Sequence, residues 1–115
     1  MALVCFHGEN PHVINQERAD IILQALSEPE RRKIIGTIKN DFKTPVQIAR
    51  DTDIPITTVY RRLRELDEKN VLITSGRINQ SKKKELLYKS KVRKVVATYD
   101  GGSIDVKIYT NLRDK

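Results

Sequence analysis

The sequence predicts an α+β fold in which helices occupy the first part of the chain and two β-hairpins occupy the second. Apolar residues recur at helical spacing as far as about Lys69, and β-favouring runs follow from Val71 onward. The turn-forming pair Gly101-Gly102 separates the last two of these runs. A chain of 115 residues has the size of a single domain. We expect an N-terminal arm over residues 1–14, the main domain over 15–91 and an additional C-terminal hairpin over 92–115.

The N-terminal arm combines a short apolar run with residues that interrupt a helix, so it is predicted to be an arm or one short strand without a fixed geometry. Cys5, His7 and His12 lie close together there and could ligate a soft metal, but chance clustering is about nine times more frequent. We therefore predict no metal and no other cofactor. A single cysteine also excludes an intrachain disulfide.

Two helices are predicted between residues 15 and 40. Asn15 is expected to cap the first, which ends at Ser27, and Ser27 is expected to cap the second. Pro29 suits the first turn of the second helix, which is predicted to end near Asn40. The apolar stripes of the two helices consist of Ala19, Ile22, Leu23, Leu26, Ile34, Ile35 and Ile38.

A third and a fourth helix follow. Thr44-Pro45 repeats the pattern of a cap followed by proline and opens a short helix whose Val46 and Ala49 are expected to face inward. A tight break is predicted over 51–55, and the fourth helix is predicted over 55–69. Its narrow apolar stripe consists of Ile56, Val59, Leu63 and Leu66.

The second half of the chain predicts two hairpins. Residues 71–73 and 86–88 are expected to pair around a lysine-rich tip. A two-residue turn at Gly101-Gly102 aligns three further apolar pairs on one face: Tyr99 with Ile104, Ala97 with Val106, and Val95 with Ile108. That face needs a cover, and we expect either the first helix or a second subunit to supply it.

The excess of positive over negative charge is confined to one part of the chain. The net charge is +7 and the isoelectric point is about 9.7. Residues 55–94 hold 12 lysines and arginines against four acids, which makes +8, whereas the other residues together carry −1. Such a localised excess indicates a polyanionic partner.

The order helix, helix, short helix, tight turn, helix and basic hairpin is that of a winged helix-turn-helix. The fourth helix would enter the major groove of duplex DNA, and a wing over 77–87 would lie on the backbone or the minor groove. Projection of the helix at 100° per residue makes Thr57, Thr58 and Arg61 the candidates for contact with base edges. The candidates for phosphate contact are Tyr60, Arg62, Arg64, Thr44, Gln47, Arg77, Lys82, Lys83 and Lys84.

An alternative interpretation of the arginines in the fourth helix is that they are solvated and pair with Glu65 and Glu68. The absence of an acid before Glu65 in that helix argues against it.

Residues 54–66 (IPITTVYRRLREL) and 68–72 (EKNVL) resemble the recognition helix and first wing strand of ArsR-like winged-helix regulators. Residues 25–35 (ALSEPERRKII) resemble the beginning of the second helix in the same family, so the resemblance covers roughly 17–91. It implies a homodimeric transcriptional regulator on an inverted-repeat site, with DNA contacts at Thr57, Thr58, Tyr60, Arg61 and Arg62. The chain lacks the cysteine pair and the C-terminal His/Asp ligands of the metal-sensing members.

Other functional classes have less support. No nucleophile–base pair, phosphate-binding glycine loop or paired carboxylates suggest an enzyme. No apolar run approaches the roughly 20 residues of a membrane span, and no signal peptide is recognisable, so we expect a cytoplasmic protein. The remaining alternative is a winged-helix module that binds protein or RNA within a transcription complex. Tyr60 is the one aromatic residue on the basic face that could stack on RNA bases.

Overall fold

The computed structural model describes residues 12–111, which form four helices and five strands. In chain order the elements are β1 (His12–Val13), α1 (Gln16–Ser27), α2 (Pro29–Thr37), α3 (Pro45–Thr52), α4 (Ile56–Glu68), β2 (Leu72–Ile78), β3 (Lys84–Ser90), β4 (Val92–Asp100) and β5 (Ser103–Thr110). This order confirms the predicted α+β class, with helices followed by two hairpins.

Helix α1 begins where it was predicted to begin. The side chain of Asn15 accepts the backbone N–H of Arg18 at 2.8 Å and caps the helix. The Arg18 guanidinium donates to the carbonyls of Lys69 and Asn70, at 2.6 and 2.9 Å, just beyond the end of α4. Helix α1 is thereby tied to the C-terminal end of α4. Its buried residues are Ala19, Ile22 and Ala25.

Helix α2 has a different cap from the predicted one. Ser27 donates its hydroxyl back to a carbonyl in the last turn of α1, at 2.8 Å, so the prediction that it caps α2 is wrong. The carboxylate of Glu28 accepts the Arg31 N–H at 2.7 Å instead, in a position where the helix dipole favours a negative charge. The helix ends at Thr37, three residues before the predicted end near Asn40.

Helix α3 confirms the predicted cap but presents a different face. The Thr44 hydroxyl accepts the N–H of Gln47, and the Gln47 side chain accepts the N–H of Thr44, which together form a capping box. Val46 was predicted to face inward, yet it is 59% exposed. Ile48, two positions further along the helix and therefore on nearly the opposite side, is fully buried, while Ala49 is half-buried.

The turn into α4 is shorter than the predicted break over 51–55, because α3 continues to Thr52. Asp53 takes a left-handed conformation with φ 61°, and Pro55 precedes the first residue of α4. Most of the predicted stripe of α4 is buried, since Val59, Leu63 and Leu66 all lie in the core. Ile56, the first residue of the predicted stripe, is exposed.

The first hairpin is the predicted wing. Its strands span 72–78 and 84–90, so the hairpin extends beyond the predicted wing over 77–87 at both ends. β2 and β3 pair from Leu72 opposite Ser90 to Ile78 opposite Lys84. An isolated bridge between Lys43 and Tyr88 joins the segment before α3 to β3, so the wing is attached to the helices along its side.

The second hairpin has the predicted register. Tyr99 lies opposite Ile104, Ala97 opposite Val106 and Val95 opposite Ile108. Gly101 and Gly102 form the two-residue turn with φ 58° and 111°, a backbone conformation that side chains disfavour. A bulge between Val92 and Lys94 interrupts the pairing near the base. β5 lies in the middle of the sheet order β1–β5–β4.

The apolar face of this hairpin is covered over only part of its length. Val106 and Ile108 are buried and belong to the same core cluster as Ala19 and Ile22 of α1, so the first helix is the cover at the base. Toward the turn the face is open, and Tyr99 is 72% exposed. At the junction of the two hairpins, the buried amide of Asn111 donates to the carbonyls of Lys39 and Ser90.

Predictions for the N-terminal arm fall mostly outside the described residues, which begin at His12. His12 and Val13 form β1, which pairs with β5, whereas Cys5 and His7 lie outside the described part. Within residues 12–111, no helix is both long and apolar enough to cross a membrane.

Candidate nucleic-acid interface

One face of α4 presents polar and cationic side chains. Arg61 and Arg64 are exposed, and neither forms a side-chain hydrogen bond or ion pair within the described part of the chain. Thr57, one turn before Arg61, is exposed, and Thr58 is half-buried. Thr57, Arg61 and Arg64 lie along the side of α4 that faces away from buried Val59, whereas Thr58 lies on its flank.

Arg62 is placed differently from Arg61 and Arg64. Its side chain is 17% exposed and forms ion pairs with Glu28, Glu30 and Glu65, at 3.4, 3.0 and 3.1 Å. Arg62 therefore pairs with Glu65, as the alternative interpretation expects, but it is largely buried and its other two partners lie outside α4. One of its partners, Glu30, is on α2, and another, Glu28, caps that helix. Helical spacing within α4 gives no signal for this contact.

The charged network around Arg62 includes a second arginine. Arg31 donates to Glu65 at 3.0 Å and to two backbone carbonyls of the last turns of α1. Burial raises the pKa of Glu65, but the hydrogen bonds from Arg62 and Arg31 outweigh this effect and lower it overall. The hydrogen bond to Glu65 in turn raises the pKa of Arg62. These contacts join α2 to the side of α4 and fix the orientation of α4.

At the start of α3, both predicted phosphate ligands are engaged in the fold. Thr44 is 8% exposed, and its hydroxyl oxygen already accepts the Gln47 N–H. The Gln47 side chain likewise accepts the Thr44 N–H. Because Pro45 has no N–H, only the N–H of Val46 is left without a backbone or capping partner in the first turn. Because the Thr44 and Gln47 side chains form the capping box, their predicted role as phosphate ligands is limited.

A groove of about 540 Å³ lies between α3, α4 and the wing. Six of its lining residues have basic or hydroxyl side chains: Arg50, Arg77 and Lys84 are basic, and Thr44, Tyr60 and Tyr88 carry hydroxyls. Tyr60 comes from α4, whereas Arg77 and Lys84 come from the wing, so the flank of α4 and the wing open onto one surface. Arg50 was not predicted. It lies three positions after Gln47 on α3, and that helical spacing was the signal that could have identified it.

The wing tip carries exposed lysines on a turn of defined geometry. The Asn79 side chain accepts the N–H groups of Ser81 and Lys83 at 2.9 and 3.0 Å, and Lys82 has φ 63°. Lys82, Lys83 and Lys84 are exposed and, within residues 12–111, form no side-chain hydrogen bond or ion pair.

Arg77 on the wing is paired, in contrast to the lysines. It donates to Glu85 at 2.8 Å, and this hydrogen bond lowers the pKa of the Glu85 carboxyl. Its charge is therefore partly compensated inside the wing. No group of three or more His, Cys, Asp or Glu side chains positioned for a metal occurs in the part that the structure describes.

No protein-family model matches the sequence, and a comparison with curated proteins gives no match either. The fold is similar to that of NolR from Sinorhizobium fredii, with a TM-score of 0.53 and 20% sequence identity over 64% of this chain and 69% of NolR. It is also similar to a possible transcriptional regulator from Methanosarcina mazei Go1, with a TM-score of 0.51 and 17% identity over 70% of this chain and 75% of that one. The chain thus has the winged helix-turn-helix fold and shares this fold with NolR and with a possible transcriptional regulator.

Proposed function

We propose that this protein is a sequence-specific regulator of transcription that binds double-stranded DNA with α4 in the major groove. The observation that carries the proposal is the face of α4 on which Arg61 and Arg64 are exposed and unpaired within residues 12–111, beside a groove shared with the cationic wing. A structural role would instead engage these guanidinium groups with acids, as it does for Arg62.

The proposed contacts follow from the chemistry of each side chain. Arg61 pairs with the two acceptors of a guanine edge, and Thr57 and Thr58 contact neighbouring bases. Arg64, Tyr60 and the wing lysines contact phosphates, and Arg50 joins them at the other side of the groove. Arg62 acts indirectly, because its ion pairs hold α4 against α2.

We further propose that the protein binds as a homodimer to an inverted repeat, with one α4 in each half-site. Half-sites would then lie about one helical turn apart. The ArsR-like resemblance of residues 54–66 supports this symmetry.

The test is a titration of the full chain with duplexes selected from a random pool, followed by fluorescence anisotropy at two salt concentrations. We expect Arg61→Ala to lose the preference for selected over random duplex by about 1–3 kcal/mol. Lys83→Ala should weaken both duplexes alike and reduce the salt slope by about one. Lys33→Ala, which removes an exposed lysine of α2 outside the groove, serves as the matched control. The proposal would be contradicted if Arg61→Ala kept the parent's preference for selected over random duplex.

A second candidate function has one observation in its favour. Three exposed residues with large apolar side chains, Val46, Tyr60 and Leu86, line the groove beside the cations. Exposed apolar side chains in a groove favour a protein partner within a transcription complex. Two results together would favour this alternative. A variant without the wing charges would still bind a protein partner, and the parent would bind neither duplex nor RNA in the same titration.

A further inference from the structure

The outer edge of β4 is a strand edge without a partner strand among residues 12–111. In the sheet order β1–β5–β4, β5 is paired on both sides and β4 on one side only. The two-residue turn makes Asp100 and Ser103 a hydrogen-bonded pair, and such pairs alternate along an antiparallel ladder. Consequently the backbone N–H and C=O groups of Val95, Ala97 and Tyr99 point away from β5.

The side chains of this hairpin leave its outer half incompletely covered. Tyr99 and Ala97 are exposed, and Ile104 opposite Tyr99 is half-buried. A hairpin with one open edge and an uncovered apolar face is marginal in water and is stabilised by an additional strand. α1 meets this need only at the base, where Val106 and Ile108 are buried.

Charge is segregated along the same hairpin. The base carries Arg93, Lys94 and Lys107, and the end near the turn carries Asp100 and Asp105. Two such hairpins placed side by side in opposite directions bring each cationic base to the acidic end of the other. Placed in the same direction, they would oppose like charges. The pattern is self-complementary, as a two-fold interface requires.

We propose that a second copy of this chain pairs its β4 with this edge, antiparallel, about a two-fold axis at Ala97. This register places Lys94 opposite Asp100 of the second copy and Val95 opposite Tyr99 of the second copy. The backbone groups that point away from β5 meet across the axis, and the apolar faces of the two hairpins become one continuous surface. This inference rests on the homodimer of the proposed function and assigns its interface to strands.

The test is sedimentation equilibrium of the full chain without DNA over a micromolar concentration series. Lys94→Asp and Asp100→Lys alone each create like-charge pairs, so each should raise the dimer dissociation constant about tenfold or more. An equimolar mixture of the two variants should restore dimers to about the parental dissociation constant, because every cross-strand pair is again of opposite charge. Misfolded variants could not produce this restoration.

Ala97→Pro provides an independent measurement. It removes an outward N–H at the two-fold axis and leaves the pairing with β5 intact, so it should yield a folded monomer, whereas Ala97→Ser should remain dimeric. A monomeric parent, a dimer unaffected by Ala97→Pro, or a mixture no more dimeric than its components would overturn the interface. A dimeric parent that binds no duplex would overturn the proposed DNA binding and leave the interface standing, so the two failures are distinguishable.

Discussion

Removal of Arg62 tests the distinction between the arginines that hold α4 in place and those that face outward. Arg62→Ala deletes ion pairs to three carboxylates, from Glu28, Glu30 and Glu65. Each pair is partly exposed and is worth roughly 0.5–1 kcal/mol. Their combined loss should lower the free energy of unfolding by about 2 kcal/mol, which corresponds to a decrease of roughly 10 °C in melting temperature.

The comparison variant is Arg61→Ala, one position earlier in the same helix. Arg61 is exposed and makes no side-chain hydrogen bond or ion pair within the described residues, so its removal should change the unfolding free energy by less than about 0.5 kcal/mol. Thermal and urea denaturation of both variants, at low and at high salt, measure the difference. The loss for Arg62→Ala should shrink at high salt, because partly exposed ion pairs are screened.

Duplex binding by the same two variants, measured well below their melting temperatures, completes the test. Arg61→Ala should lose more affinity for the selected duplex than Arg62→Ala. The reasoning is refuted if Arg62→Ala is as stable as the parent and loses as much duplex affinity as Arg61→Ala, since Arg62 would then be a direct contact.

Two further predictions concern acid stability and capping. Burial raises the pKa of Glu65 and of Glu28, but hydrogen bonds and arginine charges lower both below the ordinary value of 4.5. Their stabilising effect is therefore complete above that value and is lost as pH falls through the lower folded-state pKa; urea titrations across this range should show a smaller loss for Arg62→Ala than for the parent. Thr44→Ala should destabilise the protein by about 1 kcal/mol through loss of the α3 cap, and Thr44→Ser should retain most of the stability in thermal denaturation; equal melting of both variants would contradict this.

Local sequence signals were sufficient where the determining contacts are a few residues apart. The Asn15 cap depends on a residue three positions away, and the Thr44 capping box likewise spans three. The register of β4 and β5 follows from Gly101-Gly102 and the alternation beside it, and the structure confirms all three predicted pairs. The Ser27 cap failed because two adjacent residues competed for the same helix end, and the carboxylate of Glu28 is the one that reaches the Arg31 N–H.

The sequence predicted most of the cationic residues of the candidate site, but it did not predict which of them are paired within the fold and which face outward. Exposure of Arg61 and Arg64 follows from the period of α4, because both are far from the direction of Val59. The engagement of Arg62 depends on where α2 crosses α4, and a separation of 32 positions between Arg62 and Glu30 leaves no local trace of that contact. Arg50 differs from Arg62 in this respect: its spacing from Gln47 on α3 was a local signal, but the groove it lines exists only because the Lys43–Tyr88 bridge brings the wing beside α3.

The amino-acid order alone determined the sequence of helices and hairpins, the Gly101-Gly102 turn, the register of β4 with β5 and the net positive charge of residues 55–94, because each arises from neighbours within a few positions. Tertiary packing decided which arginine is neutralised, which threonine is committed to a cap and which part of the last hairpin is covered. These outcomes depend on distances between elements far apart in the chain, and such distances exist only once the core around Ile22, Val59 and Val106 has assembled.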